Sequence, residues 1–352
     1  MGTAAPSAAS PVAGRDYPRN FTEFIEWFHG EADAWAYIAR VRWPHGFSCP
    51  GCGHDDAWLT DRHLYVCARC KRQTSVSAGT VLEGSRIGLR QWLYALWLVA
   101  GEKRGVSAKS IQTALGLGSY QTAWIVLHKI RRAMTKTSPD LLSGVVEVDE
   151  SYIGGVSPGK RGRGTDKAIL AIAVERLGYG KKSKRVKLGR VRMRVIPNTQ
   201  RRTLEEFVTD VVAPGSIIHT DAKKEYDQLD RHGYTHVVTN QKDSPDPAHV
   251  NMPGVHRVAS LVKRWVLGTH QGGLARQHLD AYLDEFTFRF NRRASRNRGL
   301  VFYRLLQQCL RTRPLSGNDI VLLRRGQRGK RRGPAPKARR SKRSRRSDTV
   351  SS

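Results

Sequence analysis

Apolar positions in the first third of the chain recur at helical spacing. Phe21 to Trp43 reads as two short amphipathic helices, and Leu89 to Ala100 is almost continuously apolar, as a core helix is. Ser107 caps a short helix running through Leu115. Gly116-Leu117-Gly118 makes a turn, and Ser119 precedes a second helix reaching about Met134. Short helix, glycine turn and longer helix ending in Lys129, Arg131 and Arg132 make a helix-turn-helix pattern, which places those three cations as DNA contacts. Any three-helix bundle can produce the same spacing.

From Val145 the period shortens to that of strands. Val145–Ile153, Ala168–Arg176 and Arg190–Ile196 are three successive strand candidates, the last two joined as a hairpin through the basic loop Gly178–Gly189. A helix follows at Thr203–Val212, then a strand at Ser216–Asp221 opening directly into a helix at Ala222. His236–Asn240 is a further strand, and His256–Leu267 and Ala275–Arg293 are long amphipathic helices. Three strands, helix, strand, helix, strand, helix is the order of a ribonuclease-H-like α/β domain, a mixed sheet flanked by helices. The predicted organisation is a disordered tail (1–16), N-terminal helices (17–44), a cysteine-bearing ribbon (45–80), a helical DNA-binding region (81–140), the α/β domain (141–315) and a disordered basic tail (316–352).

Charge changes this picture most. Sixty-one Lys and Arg face 30 Asp and Glu, a net +31 in 352 residues. Such a surplus calls for a polyanionic partner. Arg324 to Arg346 holds 13 basic residues in 23 with no acidic one, suited to a phosphate backbone. The longest apolar run, Trp92–Ala100, has nine residues, against the roughly 20 that a bilayer-spanning helix needs. The N-terminus lacks the basic and apolar regions of a secretion signal, so an intracellular protein is expected.

Four of the five cysteines form two C-x-x-C pairs, Cys49/Cys52 and Cys67/Cys70, with 14 residues between the pairs. Each pair aims two sulfurs at one point, and two such knuckles complete a tetrahedral structural zinc site with no open position. A redox dithiol needs only one pair, and two disulfides need an oxidising compartment. Cys309 stands alone in an apolar helix and reads as core.

Two acids stand out in the α/β part: Asp149 on its first strand and Asp221 at the end of its fourth. Mg²⁺ takes hard oxygen ligands from separate elements, and two such ions serve both the attacking and leaving oxygens at a phosphate. Glu147 shares Asp149's strand face and Glu150 adjoins it; either is readable as a bystander, just as Asp149 is readable as an Arg partner and Asp221 as a helix cap.

The segments RWPHGFSCPGCG, YVCARCKRQTSVSAGTVLE, VEVDESYIGG, KRWVLGTHQGG and HLDAYLDEFTFRFNRR resemble those of bacterial insertion-sequence transposases with an N-terminal zinc ribbon and a DDE catalytic domain. The resemblance spans roughly residues 20–305 and places the family's two aspartates on Asp149 and Asp221. It implies Mg²⁺ or Mn²⁺ at those residues, structural Zn²⁺, binding of terminal inverted repeats and target DNA, a homo-oligomer on DNA, no membrane, and a cytoplasmic, nucleoid-associated bacterial location.

The chain departs from that pattern at the third position. The family's Glu stands seven residues before the Lys of a Lys-Arg pair; here the pair is Lys263-Arg264, and seven before lies His256. Val258, Leu261, Val262 and Trp265 form one apolar stripe, and His256, Ser260 and Lys263 face away from it. Seven residues are close to two helical turns, so His256 and Lys263 share a face, as a metal ligand and a phosphate contact. Imidazole coordinates divalent ions without adding charge. Three readings compete: a working Asp149-Asp221-His256 site, a site completed by Glu285, which sits off its own helix's stripe on the surface or flank, or a decayed site. Two further function classes stand beside the enzyme: a non-catalytic DNA-binding derivative, and a zinc-ribbon RNA-binding protein.

Deleting the chain from Arg324 onward is expected to weaken binding to terminal-repeat and random duplexes by similar factors and to flatten the salt dependence. Titrations of both duplexes at several salt concentrations check this; loss confined to the terminal repeat overturns it.

Overall fold

The computed structural model describes residues 10–134, 140–154, 167–180, 183–240, 248–270, 274, 276–318 and 320. The arginine-rich stretch 324–346 and residues 1–9 lie outside the described residues. Helices α1 (Phe21–Trp27) and α2 (Glu31–Arg42) lead into a three-stranded antiparallel ribbon of β1 (Ala57–Leu59), β2 (Tyr65–Cys67) and β3 (Gln73–Thr74). Helices α3 (Leu89–Gly101), α4 (Ala108–Ala114) and α5 (Tyr120–Met134) follow. Ser107 caps α4 as expected, its hydroxyl accepting the Ser110 N–H at 3.0 Å.

The second half is a mixed sheet. Strands β4 (Val145–Ile153), β5 (Ala168–Gly180) and β6 (Ser183–Ile196) run antiparallel in sequence; after α6 (Arg201–Val211), β7 (Ile217–Asp221) and β8 (Thr235–Thr239) add in parallel beyond β4. The spatial order is β6-β5-β4-β7-β8, so β4 is central and the direction of chain progression reverses there. Val146, Val148 and Ile218 face α6 through Leu204, Phe207 and Val208. On the opposite face α8 (Pro253–His270), preceded by the single turn α7 (Ala248–Asn251), and α9 (Leu279–Asn291) cover Leu170, Ile172 and Val174.

The last helix, α10 (Arg298–Arg311), expected within the unit 141–315, instead packs in the helical core. Phe302, Leu305 and Leu306 sit there at 0% exposure beside Phe24 and Trp92, and Cys309 is buried as read. Both expected tails are also shorter than read. Asp16 accepts the Val12 N–H at 2.7 Å, and Tyr17 is buried against α10, where Gly299 leaves no room for a side chain beside the Pro18 carbonyl. At the other end Ile320 is 2% exposed. These few apolar residues offset the ordering cost of segments whose average composition is that of a tail.

A second difference follows Asp221. Instead of a helix from Ala222, two 3-10 turns occupy Lys224–Tyr226 and Leu229–His232. The tighter turns let Tyr226 and Leu229 both drop into the core under β4. Asp221 is therefore not the cap of an α-helix.

The helical half and the sheet are joined through α9. Its Phe288 belongs to the helical core and its Leu283, Phe286 and Phe290 to the core on the sheet. Between them, Glu285 accepts from Arg131 Nε of α5 at 2.8 Å, the side chains being 1% and 2% exposed. Arg289 Nε approaches the other carboxylate oxygen at 3.6 Å, and Arg131 lies over the Tyr282 ring at 4.0 Å. Glu285→Ala is expected to destabilise the protein by about 3–5 kcal/mol by stranding a buried guanidinium, and the pair Arg131→Met, Glu285→Leu to recover most of that loss. Urea unfolding of the three proteins measures it; a cost under about 1 kcal/mol would contradict the buried pair.

Candidate catalytic site

On β4, side chains at 145, 147 and 149 point to the α8 face, and those at 146, 148 and 150 to the α6 face. The β4–β7 ladder pairs Glu147 with His219, and carrying that register two residues further sets Asp149 beside Asp221. Both aspartates thus share the α8 face of two adjacent parallel strands, just past the point where their pairing stops. Crevices at the carboxyl ends of strands next to a reversal of strand order are the usual ligand positions in open α/β sheets.

Electrostatics mark the same place. Burial pushes the Asp149 carboxyl up to about 7, reinforced by the like charges of Glu150 and Asp221 and opposed by the Glu150 N–H and by Lys223. Asp221 Oδ1 is buried without a hydrogen-bond partner. An Asp149 carboxyl raised in part by the Asp221 charge, beside an orphaned Asp221 oxygen, leaves room for a cation. Glu150 is not available for it. On the other face of β4 its oxygens take Lys223 Nζ and the Tyr226 hydroxyl, each at 2.5 Å.

Glu147 is no bystander either. Its side chain is 0% exposed; Oε2 accepts the N–H groups of Gly254 and Val255 at 2.7 and 3.0 Å, and Oε1 faces Arg176 Nε at 3.3 Å. His256 is the next residue of α8 and is half-buried, and its ring does not converge with Asp149 and Asp221 as closely as the four ribbon sulfurs do with one another. Val258, Val262 and Val266 bury the helix's inner stripe, whereas Ser260, Lys263 and Arg264 are exposed, as the periodicity predicts. The signal for Glu147 was its position two residues before Asp149 on one strand face; what it touches lies 107 residues away.

Among the expected DNA contacts of α5, Arg132 is exposed. Arg131 and Lys129 are corrected: Arg131 is committed to Glu285, and Lys129, 3% exposed, donates to the Glu83 carbonyl at 2.7 Å. Both lie on faces of α5 covered by the rest of the protein. Glu285, read as a surface or flank residue, is buried because α9 is packed on both sides, and its carboxylate is engaged by Arg131 and Arg289. Nearby, burial and the Arg131 charge press His128 down to about 2, and burial lowers His270 to about 4, so both rings are neutral at physiological pH.

The ribbon brings all four paired cysteines together. Their sulfurs lie within 4.8 Å of one another, with Cys49–Cys70 and Cys52–Cys67 at 3.6 Å. A tetrahedral ion with bonds of about 2.3 Å needs sulfurs roughly 3.8 Å apart, so the set fits zinc. Each knuckle closes in the same way. Gly53 N–H returns to the Cys49 carbonyl and Lys71 N–H to that of Cys67, both residues in the left-handed region. The Gly51 and Cys52 N–H groups pull the Cys49 thiol down to about 6, favouring the thiolate that binds metal. Phe47 stacks on Tyr65 at 4.8 Å and braces the knuckles. Among the described residues, this is the one set of three or more such ligands that converges so closely.

Comparison with known proteins agrees with both halves. Residues 141–291 match the ISXO2-like transposase domain, ending with α9, and residues 30–73 match a transposase zinc-ribbon domain. An uncharacterized protein in transposable element ISH50 of Halobacterium salinarum is 27% identical over 293 residues, covering 75% of this chain and 92% of that protein. An uncharacterized transposase-like protein of Haemophilus influenzae is 31% identical over 97 residues, covering 28% of this chain and 77% of that protein. No helix among the described residues is long and apolar enough to cross a membrane.

The Asp149 environment has a consequence for stability. A carboxyl at 3.8 when unfolded and about 7 when folded binds its proton more tightly in the folded state, so its contribution is lost as pH rises between those values. In metal-free protein, Asp149→Asn is therefore expected to gain stability over wild type from about pH 4 to about pH 7 and then hold a constant margin. Paired urea titrations across that range check it; a margin independent of pH contradicts the buried-acid reading.

Proposed function

The chain belongs to the insertion-sequence transposases that join a zinc ribbon to an ISXO2-like transposase domain, and from that premise we propose that it cuts and joins DNA at the ends of a mobile element. The observation that carries the reading is the placement of Asp149 and Asp221 on one face of adjacent strands, with a buried orphan oxygen and a raised proton affinity. The strand order β6-β5-β4-β7-β8, with its antiparallel first three strands, supports a ribonuclease-H-like domain.

Asp149, Asp221 and His256 would hold Mg²⁺ or Mn²⁺, which supplies charge to the attacking and leaving oxygens of a phosphodiester. Asp149 and Asp221 contribute the negative charge, and His256, from α8, a neutral nitrogen donor in place of a carboxylate. Two turns along the same helix, exposed Lys263 and its neighbour Arg264 are placed to hold DNA phosphates. Water breaks the bond at each element end, releasing a 3′-hydroxyl that then displaces a 3′-oxygen in the target strand. Helices α4 and α5, as a helix-turn-helix with Arg132 exposed, the zinc ribbon and the basic C-terminal stretch would bind the terminal inverted repeats and neighbouring duplex. Joining two ends at one target requires a homo-oligomer on DNA.

A strand-transfer assay on variants, run in Mg²⁺ and in Mn²⁺, tests the reading. Asp149→Ala and Asp221→Ala are expected to abolish joining in both metals, by at least about 10³-fold, while terminal-repeat binding stays intact. His256→Ala loses most activity, and His256→Glu retains or raises it in Mg²⁺. Wild type inactive in both metals, with His256→Ala changing nothing, identifies instead a DNA-binding derivative with a decayed site.

A further inference from the structure

We propose that Glu147 is the positioning residue for His256, by holding the first turn of α8, which carries that histidine, on the central strand that carries Asp149. The inference rests on reading Asp149, Asp221 and His256 as the metal site and adds the element that places the histidine. An α-helix begins with backbone N–H groups that lack partners within the helix. In α8 the first residue, Pro253, has none, and the next two, Gly254 and Val255, both donate to Glu147 Oε2. The cap of α8 is thus supplied by a side chain from β4, 107 residues earlier in the chain. A carboxylate suits that place because the helix start carries partial positive charge.

The geometry is close and specific. Glu147 and Asp149 project from the same face of β4, so one strand carries both the anchor of α8 and the first acid. A side chain at Gly254 would bring its first carbon within 2.8 Å of Glu147 Oε2 and 3.1 Å of Leu188 Cδ2, so glycine is what lets the helix approach this far. On the other side of His256, Arg257 donates to the Val186 carbonyl of β6 at 3.0 Å. His256 therefore sits between an anchor to β4 and an anchor to β6. Arg176 on β5 faces the remaining Glu147 oxygen at 3.3 Å, balancing its buried charge. An imidazole adds no charge to attract the ion, so its contribution depends on being held in position.

The test is Mn²⁺ affinity of the full-length protein, by calorimetry, together with amide hydrogen exchange. Glu147→Ala is expected to weaken Mn²⁺ binding about 10–100-fold and to speed exchange at Gly254 and Val255. Glu147→Gln, which keeps an acceptor for both N–H groups, should stay within a few-fold of wild type. Gly254→Ala, with the carboxylate intact, should reproduce the loss and carries the test if Glu147→Ala fails to fold. The decisive measurement is a double mutant. If Glu147 acts through His256, Glu147→Ala costs little further once His256→Ala is present. Additive losses overturn the inference, as does wild-type Mn²⁺ affinity in Glu147→Ala and Gly254→Ala when Asp149→Ala has lost it. Wild-type affinity in Asp149→Ala would defeat the metal-site reading itself, and the inference with it.

Discussion

Arg131 and Glu285 meet with almost no exposure, and the arrangement of the two halves of the molecule depends on that meeting. Neither ion is tolerable there alone, because a charge removed from water needs an opposite charge and hydrogen bonds around it. The pair commits α5 to α9, and α9 then belongs to two cores at once: Phe288 to the helical one, and Leu283 and Phe286 to the one on the sheet. Return of α10 to the N-terminal helices closes the arrangement from the other end. The helical region and the sheet therefore share packed elements.

Buried acids are prominent in a protein whose net charge is +31. Those on β4 are sorted by the face they occupy. Glu150 faces α6 and meets Lys223 and Tyr226, and Glu147 faces α8 and meets two backbone N–H groups and Arg176. Asp149 lies between these engaged neighbours with Asp221 as its counterpart, and its carboxyl rises to about 7. The field at Asp149 is set locally, by burial and the adjacent carboxylates against the Glu150 N–H and Lys223, more than by the net charge of the chain. A divalent cation would complement that field, since the nearby Lys223 is engaged by Glu150 on the other face of β4.

The histidine at 256 fits this environment in one respect and weakens it in another. It preserves spacing to Lys263 and the face of α8, and under the proposed metal site it would lower the negative charge of the ligands by one relative to a glutamate. The first turn of α8, which carries His256, is fixed to β4 through Glu147, and under the proposed reading a neutral donor contributes through such geometry more than through charge.

Element types were legible in the sequence because they follow local periodicity: the Val145–Ile153 strand, the amphipathic helix carrying His256 and the two cysteine knuckles each declare themselves within a dozen residues. The positions of Asp149 on its strand and of Asp221 at the end of another were legible too, since strand order and acid positions can be read along the chain. The roles of Glu147, Lys129, Arg131 and Glu285 were not. Each depends on a partner distant in sequence, 107 residues for Glu147 and Gly254 and 154 for Arg131 and Glu285. Helical periodicity marks one buried stripe, but α5 and α9 are covered on more than one side, so charged residues off the stripe became interior pairs instead of DNA contacts or surface groups. Likewise the segment after Asp221 gave up a helix for 3-10 turns once Tyr226 had a buried carboxylate to reach. The chain by itself determined which residues prefer strand, helix or metal; packing alone decided which charges face water, because desolvation is a property of the assembled neighbours and leaves no local trace in sequence.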